Sequence, residues 1–549
     1  MPLYAYSKKV VEARWVQTLV LFLLFSAPIL YTLHDYGITH DEPIYMEASR
    51  HVRQWLSLDL PNMFSQASIE EHWKTDPVRN VHPSGVKWLY IIAQGTVFWE
   101  KDPYIQNRMF SIFLFAGSLA LFLQWNFRSS PGKCILAVLL LLSIPRFFAH
   151  AHFAATDIPM TAFLLLFVIG TEKGLDRGHP WLAGVLLGML ASIKITSLLL
   201  ALPIFVFFLL LQRSGWTKGL QRASVLCGTA ALTFYVLNPD WWFSPLSRGV
   251  EFIAQTVTRK EWALFTVYFG GAFYPYRGPF TYPFIMFFIT TPLLHLFFLL
   301  VGIGALFLDK TVRGDFRMIL VIIGFSTPFL ILALPVSPTI DGVRYLLPAF
   351  PFAACLMAFG FLRLWNFVVR PEGKSPSKIA LRIGLATGSL VLFALDMDNP
   401  ARQPPYELSY YNSSVGGLAG AYQRGYETTY WWEIFNEDAI REVNKRTSGK
   451  PVYFPLLPTD LFFKQAMERG ELAFFVEEEL RKAEFVLIIG RPNVNYWEKH
   501  IRSALKKEGK ILSAVWEISL DSVPLLRLHK IRHPLSAERT IPGGLKDGG

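Results

Sequence analysis

Apolar runs long enough to cross a bilayer recur through the first 396 residues, and they constrain the fold more than any other feature. A transmembrane helix needs roughly 20 mostly apolar residues. The composition agrees, since 52% of the residues are hydrophobic and only 17% are charged, against about 25% charged in soluble proteins. These figures exclude an intrinsically disordered chain, a coiled coil and a typical cytosolic enzyme. The sequence predicts a polytopic α-helical membrane protein.

The charges between the apolar runs predict about eleven transmembrane helices. Lys8, Lys9 and Arg14 precede the first span, so the positive-inside rule places the N-terminus in the cytoplasm. The run 181–211 is too long for one crossing, and we divide it near Lys194. The predicted spans are 15–33, 109–125, 134–149, 157–171, 181–193, 195–212, 222–238, 283–307, 317–335, 343–366 and 379–396. We attribute the net charge of +11 to loops on the anionic cytoplasmic leaflet rather than to nucleic-acid binding.

An odd number of spans places the C-terminal segment 397–549 outside the cytoplasm. It is polar and combines strand-like runs with helical patterns, which predicts a small α/β domain followed by a flexible tail. The transmembrane domain is then 1–396. Its outer loops 35–108 and 239–282 are the candidate catalytic loops, and the second is rich in Trp and Tyr, as is typical of a segment in the headgroup region.

Acidic residues gather at the predicted outer face, beginning with the stretch Thr39-His40-Asp41-Glu42-Pro43 after the first span. Pro43 suits the first turn of a helix, so Glu42 could be a helix cap and Asp41 a solvated neighbour. Alternatively, one of the two carboxylates removes a proton from an acceptor hydroxyl at the membrane surface. Adjacent helical residues point about 100° apart, so only one of them would do so directly.

Two further polar stretches lie at the same predicted outer face of the membrane. His82 opens a short apolar helix and could be a simple turn residue. Later, Arg146, His150, His152 and Asp157 surround a span boundary, where Arg146 could be an interface anchor and Asp157 a helix cap. His150 and His152 face apart on a helix, which weakens but does not remove the case for a metal site.

Two basic residues in apolar surroundings, Lys194 and Arg344, are further candidates for the site. A lysine without a partner is costly inside a membrane, so a bound anion is a reasonable partner for Lys194. Arg344 follows Asp341 and a glycine at the outer end of a span, where the alternative reading is a turn with an anchoring arginine.

The order of these motifs resembles the bacterial relatives of protein O-mannosyltransferases and aminoarabinose transferases, which are family 39 glycosyltransferases of the GT-C fold. Ser84 departs from the pattern, since the family often has a second proline there, and residues beyond about 435 match no motif of the family. The matching residues are Asp41-Glu42, His82-Pro83, Ala155-Thr156-Asp157, Gly184–Leu200 with Lys194, Thr291-Pro292, Asp341-Gly342-Val343-Arg344, Tyr406–Asn412 and Gly416-Gly417.

The resemblance implies a specific reaction at the outer face of a bacterial inner (plasma) membrane. A polyprenyl-phosphate-linked sugar would donate its glycosyl group to an acceptor hydroxyl with inversion, and the acceptor could be a protein, a lipid or a glycan. Asp41 would be the general base, with Asp157 and Glu42 as further catalytic candidates. No cofactor is required, and a divalent metal is left undecided.

The same resemblance assigns the remaining residues to donor and substrate. The donor phosphate would be bound by Lys194, Arg344 and Arg146, and the substrate would be contacted by His82, Tyr345 and Asp341.

A membrane transporter or lipid flippase is the alternative class of protein, although such proteins place ionisable residues near the bilayer midplane. A non-catalytic assembly factor of the cell envelope, for which Asp41 would be dispensable, is the third.

Overall fold

The computed structural model describes most of the chain. The described residues are 2–73, 83–97, 99–128, 130–211, 215–258, 265–274, 277–308, 315–369, 376–455, 460–492 and 494–533. They form two compact units, Met1–Glu433 and Ile434–Gly549.

The first unit is helical and contains several apolar spans, as the composition predicts. Its α-helices are Pro2–Tyr31, Glu42–Leu56, Leu60–Met63, Gln66–Trp73, Gly85–Thr96, Pro103–Asn126, Pro131–Leu142, Pro145–His150, Asp157–Arg177, Pro180–Ile193, Ser197–Leu210, Trp216–Leu237, Pro245–Thr258, Tyr282–Thr290, Leu293–Leu308, Phe316–Leu332, Phe350–Val369, Pro376–Met397 and Gly417–Gln423. Its 3-10 helices are Leu33–Asp35, Pro239–Trp241, Arg344–Ala349, Pro400–Arg402, Glu407–Ser409 and Ser413–Val415. A two-stranded antiparallel sheet pairs Thr266–Tyr268 with Gly271–Phe273.

The number of helices able to cross a membrane differs from the predicted eleven. By length and composition, five described helices qualify, or six when Tyr282–Thr290 and Leu293–Leu308, which meet at a bend of 119°, are one broken span. Each predicted span overlaps a described helix. Four of these helices are apolar but too short to qualify, and Asp157–Arg177 is long enough but is not among those that qualify. Two of the four, Pro180–Ile193 and Ser197–Leu210, confirm the predicted division of one long run near Lys194.

The bend at Thr291 is held by a residue far along the chain. The side-chain amide of Asn412 donates hydrogen bonds to the carbonyl oxygens of Phe288 and Thr291, at 2.7 and 2.8 Å. Its backbone N–H donates to the carbonyl of Ile289 at 2.8 Å. On the other side of the bend, the Asp396 carboxylate accepts from the backbone N–H of Leu293 at 2.9 Å. These bonds satisfy groups that the interrupted helix leaves without helical partners.

The unit boundary lies later than the predicted start of the C-terminal domain at residue 397. Residues 398–433 pack within the first unit, as the contacts of Asn412 show, and the sheet-containing unit begins at Ile434. The polarity of this segment suggested an outer domain. Its Leu408, Tyr410 and Tyr411, however, are fully buried.

The second unit contains a five-stranded mixed sheet with helices Glu437–Thr447, Asp460–Glu468 and Val494–Lys506. This confirms the predicted α/β character of the C-terminal region. In spatial order the strands are Val476–Glu477, Val452–Tyr453, Phe485–Ile489, Val523–Arg532 and Ile511–Leu520. Pairing is parallel among the first three and antiparallel at both edges of Val523–Arg532.

An aromatic cluster fixes the helix that follows Asp41. Trp55, near the end of that helix, has its ring centroid 5.2 Å from that of Trp73 and 6.4 Å from that of Trp242. Trp73 in turn lies 5.4 Å from Trp88. Edge-on and tilted ring contacts of this kind are favourable. The segments that carry these tryptophans are therefore packed against one another, and they hold the helix that follows Asp41.

Candidate active site

The polar stretches identified in the sequence meet in one buried cluster. Asp41 directly precedes a helix, and Asp157 is the first residue of another. Lys194 occupies the break between two short helices, and Arg344 begins a 3-10 helix. Helix ends and breaks leave side chains and backbone groups available for contacts, so four residues widely separated in the chain reach one place.

Arg344 is the centre of this cluster, since its guanidinium contacts three carboxylates. Its Nε donates to Asp157 Oδ2 at 2.8 Å, its Nη1 to Asp341 Oδ2 at 3.0 Å and its Nη2 to Asp41 Oδ2 at 2.6 Å. Its carbon Cζ lies 4.0 Å from the ring centroid of Trp431, a cation–π distance. The planar fork of an arginine suits several oxygen partners at once.

Lys194 extends the same network. Its Nζ lies 3.0 Å from the second oxygen of Asp157 and 4.4 Å from the ring centroid of Tyr345. Asp157 therefore bridges the two cations with one oxygen each. Three carboxylates and two cations meet here, so these five groups carry one net negative charge when all are ionised.

A left-handed turn places Asp341 and Arg344. Asp341 has φ of 57° and Gly342 has φ of 64°. A Cβ on residue 342 would lie 2.6 Å from Arg146 Nη1, so only glycine fits.

Arg146 is buried and lies outside the carboxylate network. Its Nε donates to the Tyr410 carbonyl at 2.9 Å, and its Cζ lies 4.5 Å from the Tyr411 ring centroid.

Asp41 is the most accessible of the three carboxylates. Its side chain is 20% exposed, against 2% for Asp157 and Asp341. Burial by itself would raise the pKa of the Asp41 carboxyl. The charge of Arg344 and the hydrogen bond from His40 oppose this effect and outweigh it, so the pKa lies well below its usual range. Asp41 is therefore ionised at neutral pH.

Glu42 faces away from Asp41 into a separate ion pair. Its Oε1 accepts from Arg108 Nε at 2.7 Å and its Oε2 from Arg108 Nη2 at 2.8 Å, with both side chains 1% exposed. It also accepts from the backbone N–H groups of Thr39 and Ala154. Arg108 donates in addition to the carbonyls of Tyr36 and Gly37. These contacts make Glu42 a positioning residue for the loop that carries Asp41.

The two histidines considered as metal ligands have other contacts. His152 Nδ1 lies 2.8 Å from the Phe148 carbonyl, and its Nε2 lies 2.9 Å from Thr32 Oγ1. His150 packs edge-on against Trp431 with ring centroids 5.2 Å apart. Within the described ranges there is no group of three or more His, Cys, Asp or Glu side chains that could hold a metal ion. His82 lies outside the described residues.

Sequence reasoning missed the aromatic segment that backs the cluster. Trp431 donates from Nε1 to Asp341 Oδ2 at 3.1 Å, besides stacking on Arg344. The ring of Trp432 lies edge-on to that of His40, with centroids 4.9 Å apart. The signal available was the aromatic run at 430–432, within the polar region assigned to the outer domain.

Comparison with known proteins agrees with the resemblance inferred from the motifs. Residues 104–243 match the family described as dolichyl-phosphate-mannose-protein mannosyltransferase. The matched segment includes Arg108, Arg146, Asp157 and Lys194 of the site. Over this part of the chain, the match agrees with the resemblance to protein mannosyltransferases.

Two solved structures are similar over most of their length. They are crystal structures of ArnT from Cupriavidus metallidurans, one bound to undecaprenyl phosphate and one in the apo state. The first has a TM-score of 0.46 and 14% identity, covering 93% of this chain and 97% of that chain. The second has a TM-score of 0.45 and 14% identity, covering 95% and 98%. Comparison with curated proteins gives no significant match.

Proposed function

We propose that the chain is an integral membrane glycosyltransferase that moves a sugar from a polyprenyl-phosphate-linked donor to an acceptor hydroxyl on the extracytoplasmic face. The observation that carries the proposal is the Arg344 cluster, which joins an accessible carboxylate to two buried cations. Such a reaction needs a base for the acceptor and positive charge for the leaving phosphate. The match to a dolichyl-phosphate-mannose-protein mannosyltransferase family supports a lipid-phosphate donor.

The proposed reaction is a single displacement with inversion. The acceptor oxygen loses its proton toward Asp41 and attacks the anomeric carbon from the face opposite the phosphate. The bond between that carbon and the phosphate oxygen breaks, and its electron pair leaves with the polyprenyl phosphate. Lys194 and Arg344 would stabilise the negative charge that develops on the phosphate. No step passes through a metal ion, and adding a chelator to the assay tests whether one is needed.

The ion pairs of the cluster suggest that donor binding and base strength are coupled. A phosphate that approaches Arg344 competes with Asp41 for the guanidinium. Losing part of that contact moves the pKa of Asp41 back toward its usual range, because the charge of Arg344 is a main cause of its depression. The carboxylate would thus become a better base once the donor is bound. This favours donor binding before chemistry.

The test is transfer of a labelled sugar by the purified full-length chain in liposomes. The donor is a polyprenyl phosphate carrying the labelled sugar, and the acceptors are a cell-envelope extract. We expect Asp41→Asn to reduce transfer by roughly 10²–10⁴-fold, the usual contribution of a positioned base. Asp35→Asn is the matched control, because Asp35 is an exposed carboxylate in the same loop.

The same liposomes separate the enzyme from a transporter. A flippase would move the labelled lipid across the bilayer with its sugar–phosphate bond intact. Passage of intact lipid without any transfer, or full transfer by a well-folded Asp41→Asn variant, would contradict the proposal. The accumulation of acidic residues at one end of the helices, rather than within the spans, favours chemistry at the interface over passage.

A further inference from the structure

His40 is the accessible neighbour of the buried cluster. Its side chain is 25% exposed and that of Asp41 is 20% exposed, whereas Arg344 is only 6% exposed. Of these three side chains, His40 and Asp41 are therefore the more accessible to an acceptor hydroxyl. Sequence reasoning considered this histidine only as part of a motif.

The imidazole of His40 is paired with the carboxylate. Its Nδ1 lies 3.3 Å from Asp41 Oδ1, while the other oxygen of Asp41 binds Arg344. Asp41 is ionised and can only accept, so Nδ1 of His40 carries the hydrogen of this contact. In the neutral imidazole that tautomer leaves a lone pair on Nε2.

Contacts with Trp431 and Trp432 also hold the imidazole ring of His40 in position. The backbone N–H of His40 donates to the Trp431 carbonyl at 3.3 Å, and Trp432 packs edge-on against the imidazole. Among the described residues, the ion pairs at this position join His40 to Asp41 and Asp41 to Arg344, which binds the other oxygen of Asp41.

From this geometry we infer that His40 receives the acceptor's proton at Nε2, while Asp41 holds the ring in the required tautomer and stabilises the imidazolium that forms. The inference deepens the proposed function and rests on it. The acceptor O–H bond breaks and its proton goes to Nε2, while the acceptor oxygen forms a bond to the anomeric carbon. The bond between that carbon and the phosphate oxygen breaks, and its electron pair leaves with the polyprenyl phosphate. His40 then returns the proton to water.

Base strength supports His40 as the proton acceptor and Asp41 as the residue that orients it. A general base works best when its pKa lies near the working pH. The pairing with Arg344 keeps the pKa of Asp41 well below its usual range, and release of that contact by the donor would return it only toward about 3.9, still far from neutral pH. An unperturbed imidazole titrates near 6.5, and a carboxylate behind it is the arrangement used for histidine bases in other enzymes.

The experiment compares His40→Gln with a matched histidine in the same liposome assay. His51 lies 3.6 Å from Glu47 and is 27% exposed, so His51→Gln removes a similarly placed imidazole elsewhere. We expect His40→Gln to lower transfer by roughly 10²–10⁴-fold, and His51→Gln to leave it unchanged. The pH profile of transfer should also differ between the wild-type protein and the residual activity of His40→Gln.

Two further measurements separate chemistry from folding. Added imidazole should restore part of the transfer lost in His40→Ala, which a purely structural residue would not show. Diethyl pyrocarbonate labelling of His40, read by mass spectrometry in the full-length protein, reports the reactivity of the imidazole without any turnover. The labelling rate should change in Asp41→Asn, because the variant loses the carboxylate that accepts from Nδ1.

The outcomes distinguish the two proposals. If His40→Gln keeps wild-type transfer while Asp41→Asn loses it, Asp41 takes the proton directly, and the inference is wrong while the proposed function stands. An Asp41→Asn variant that leaves the labelling rate of His40 unchanged also contradicts the pairing. If the wild-type protein transfers no sugar, both proposals fall together.

Discussion

Glu42→Gln tests whether the carboxylate next to Asp41 acts in chemistry or in structure. The substitution keeps the shape of the side chain and removes its charge. Arg108 would then keep a buried guanidinium, 1% exposed, without the two charge-assisted bonds of 2.7 and 2.8 Å. Removing one partner of a buried ion pair typically costs about 3–5 kcal/mol. Losing a helix cap, the role considered from the sequence, would cost only about 1 kcal/mol.

The assay is equilibrium unfolding of the purified protein in mixed micelles. A loss of about 3–5 kcal/mol lowers the ratio of folded to unfolded protein by more than about a hundredfold, since 1.4 kcal/mol is tenfold. Glu47→Gln is the matched control on the same helix, because its partners Arg50 and His51 are 52% and 27% exposed, and such accessible pairs contribute about 0–1 kcal/mol each. Combining Glu42→Gln with Arg108→Gln should recover part of the loss, as both charges are then absent. If Glu42→Gln is as stable as Glu47→Gln yet transfers no sugar, the structural reasoning is refuted.

Three further predictions concern the phosphate site, pH and topology. Arg344→Lys should weaken binding of a labelled polyprenyl phosphate, because an ammonium cannot reproduce the planar fork, and unchanged binding there and in Lys194→Ala would remove both residues from the phosphate site. Burial raises the pKa of Glu407 to about 8, above its usual value, so the native state binds the proton more tightly and stability should fall as pH rises from about 4.5 to about 8. Glu407→Gln should abolish that decline in unfolding measurements, and an unchanged pH dependence would disprove it. A reporter active only outside the cytoplasm should give signal when fused after residue 440, and the opposite result, with signal after residue 375, would reverse the proposed orientation.

The sequence predicted which residues form the cluster better than it predicted the contacts that they make. Asp41, Asp157, Lys194 and Arg344 stand out because charged residues at the ends of apolar runs are costly unless they have a role. The triple contact of Arg344 could not be predicted, since it depends on the packing of three separate helix ends. Likewise, nothing local links Arg108 to a glutamate 66 residues earlier.

The predicted boundaries failed where composition and packing disagree. The segment 398–433 is polar enough to suggest an outer domain, but its tyrosines and Asn412 fill the helical unit. The predicted span 283–307 reads as one apolar run, although the structure bends by 119° within it. Proline at 292 marks that break, since it lacks a backbone N–H and disfavours a helical residue before it.

The bonds of Asn412 to the bent span have a consequence for biosynthesis. Residues 282–308 leave the ribosome long before residue 412, so the broken helix enters the membrane without the amide that later satisfies its carbonyls. At roughly 5–20 residues per second, the wait is on the order of 10 s. Unsatisfied backbone groups are costly in lipid, so during this interval the span must keep them hydrated or bonded elsewhere. The helical unit can therefore reach its final form only after the chain has passed residue 412, and truncation before that point should leave a protein that inserts but does not mature.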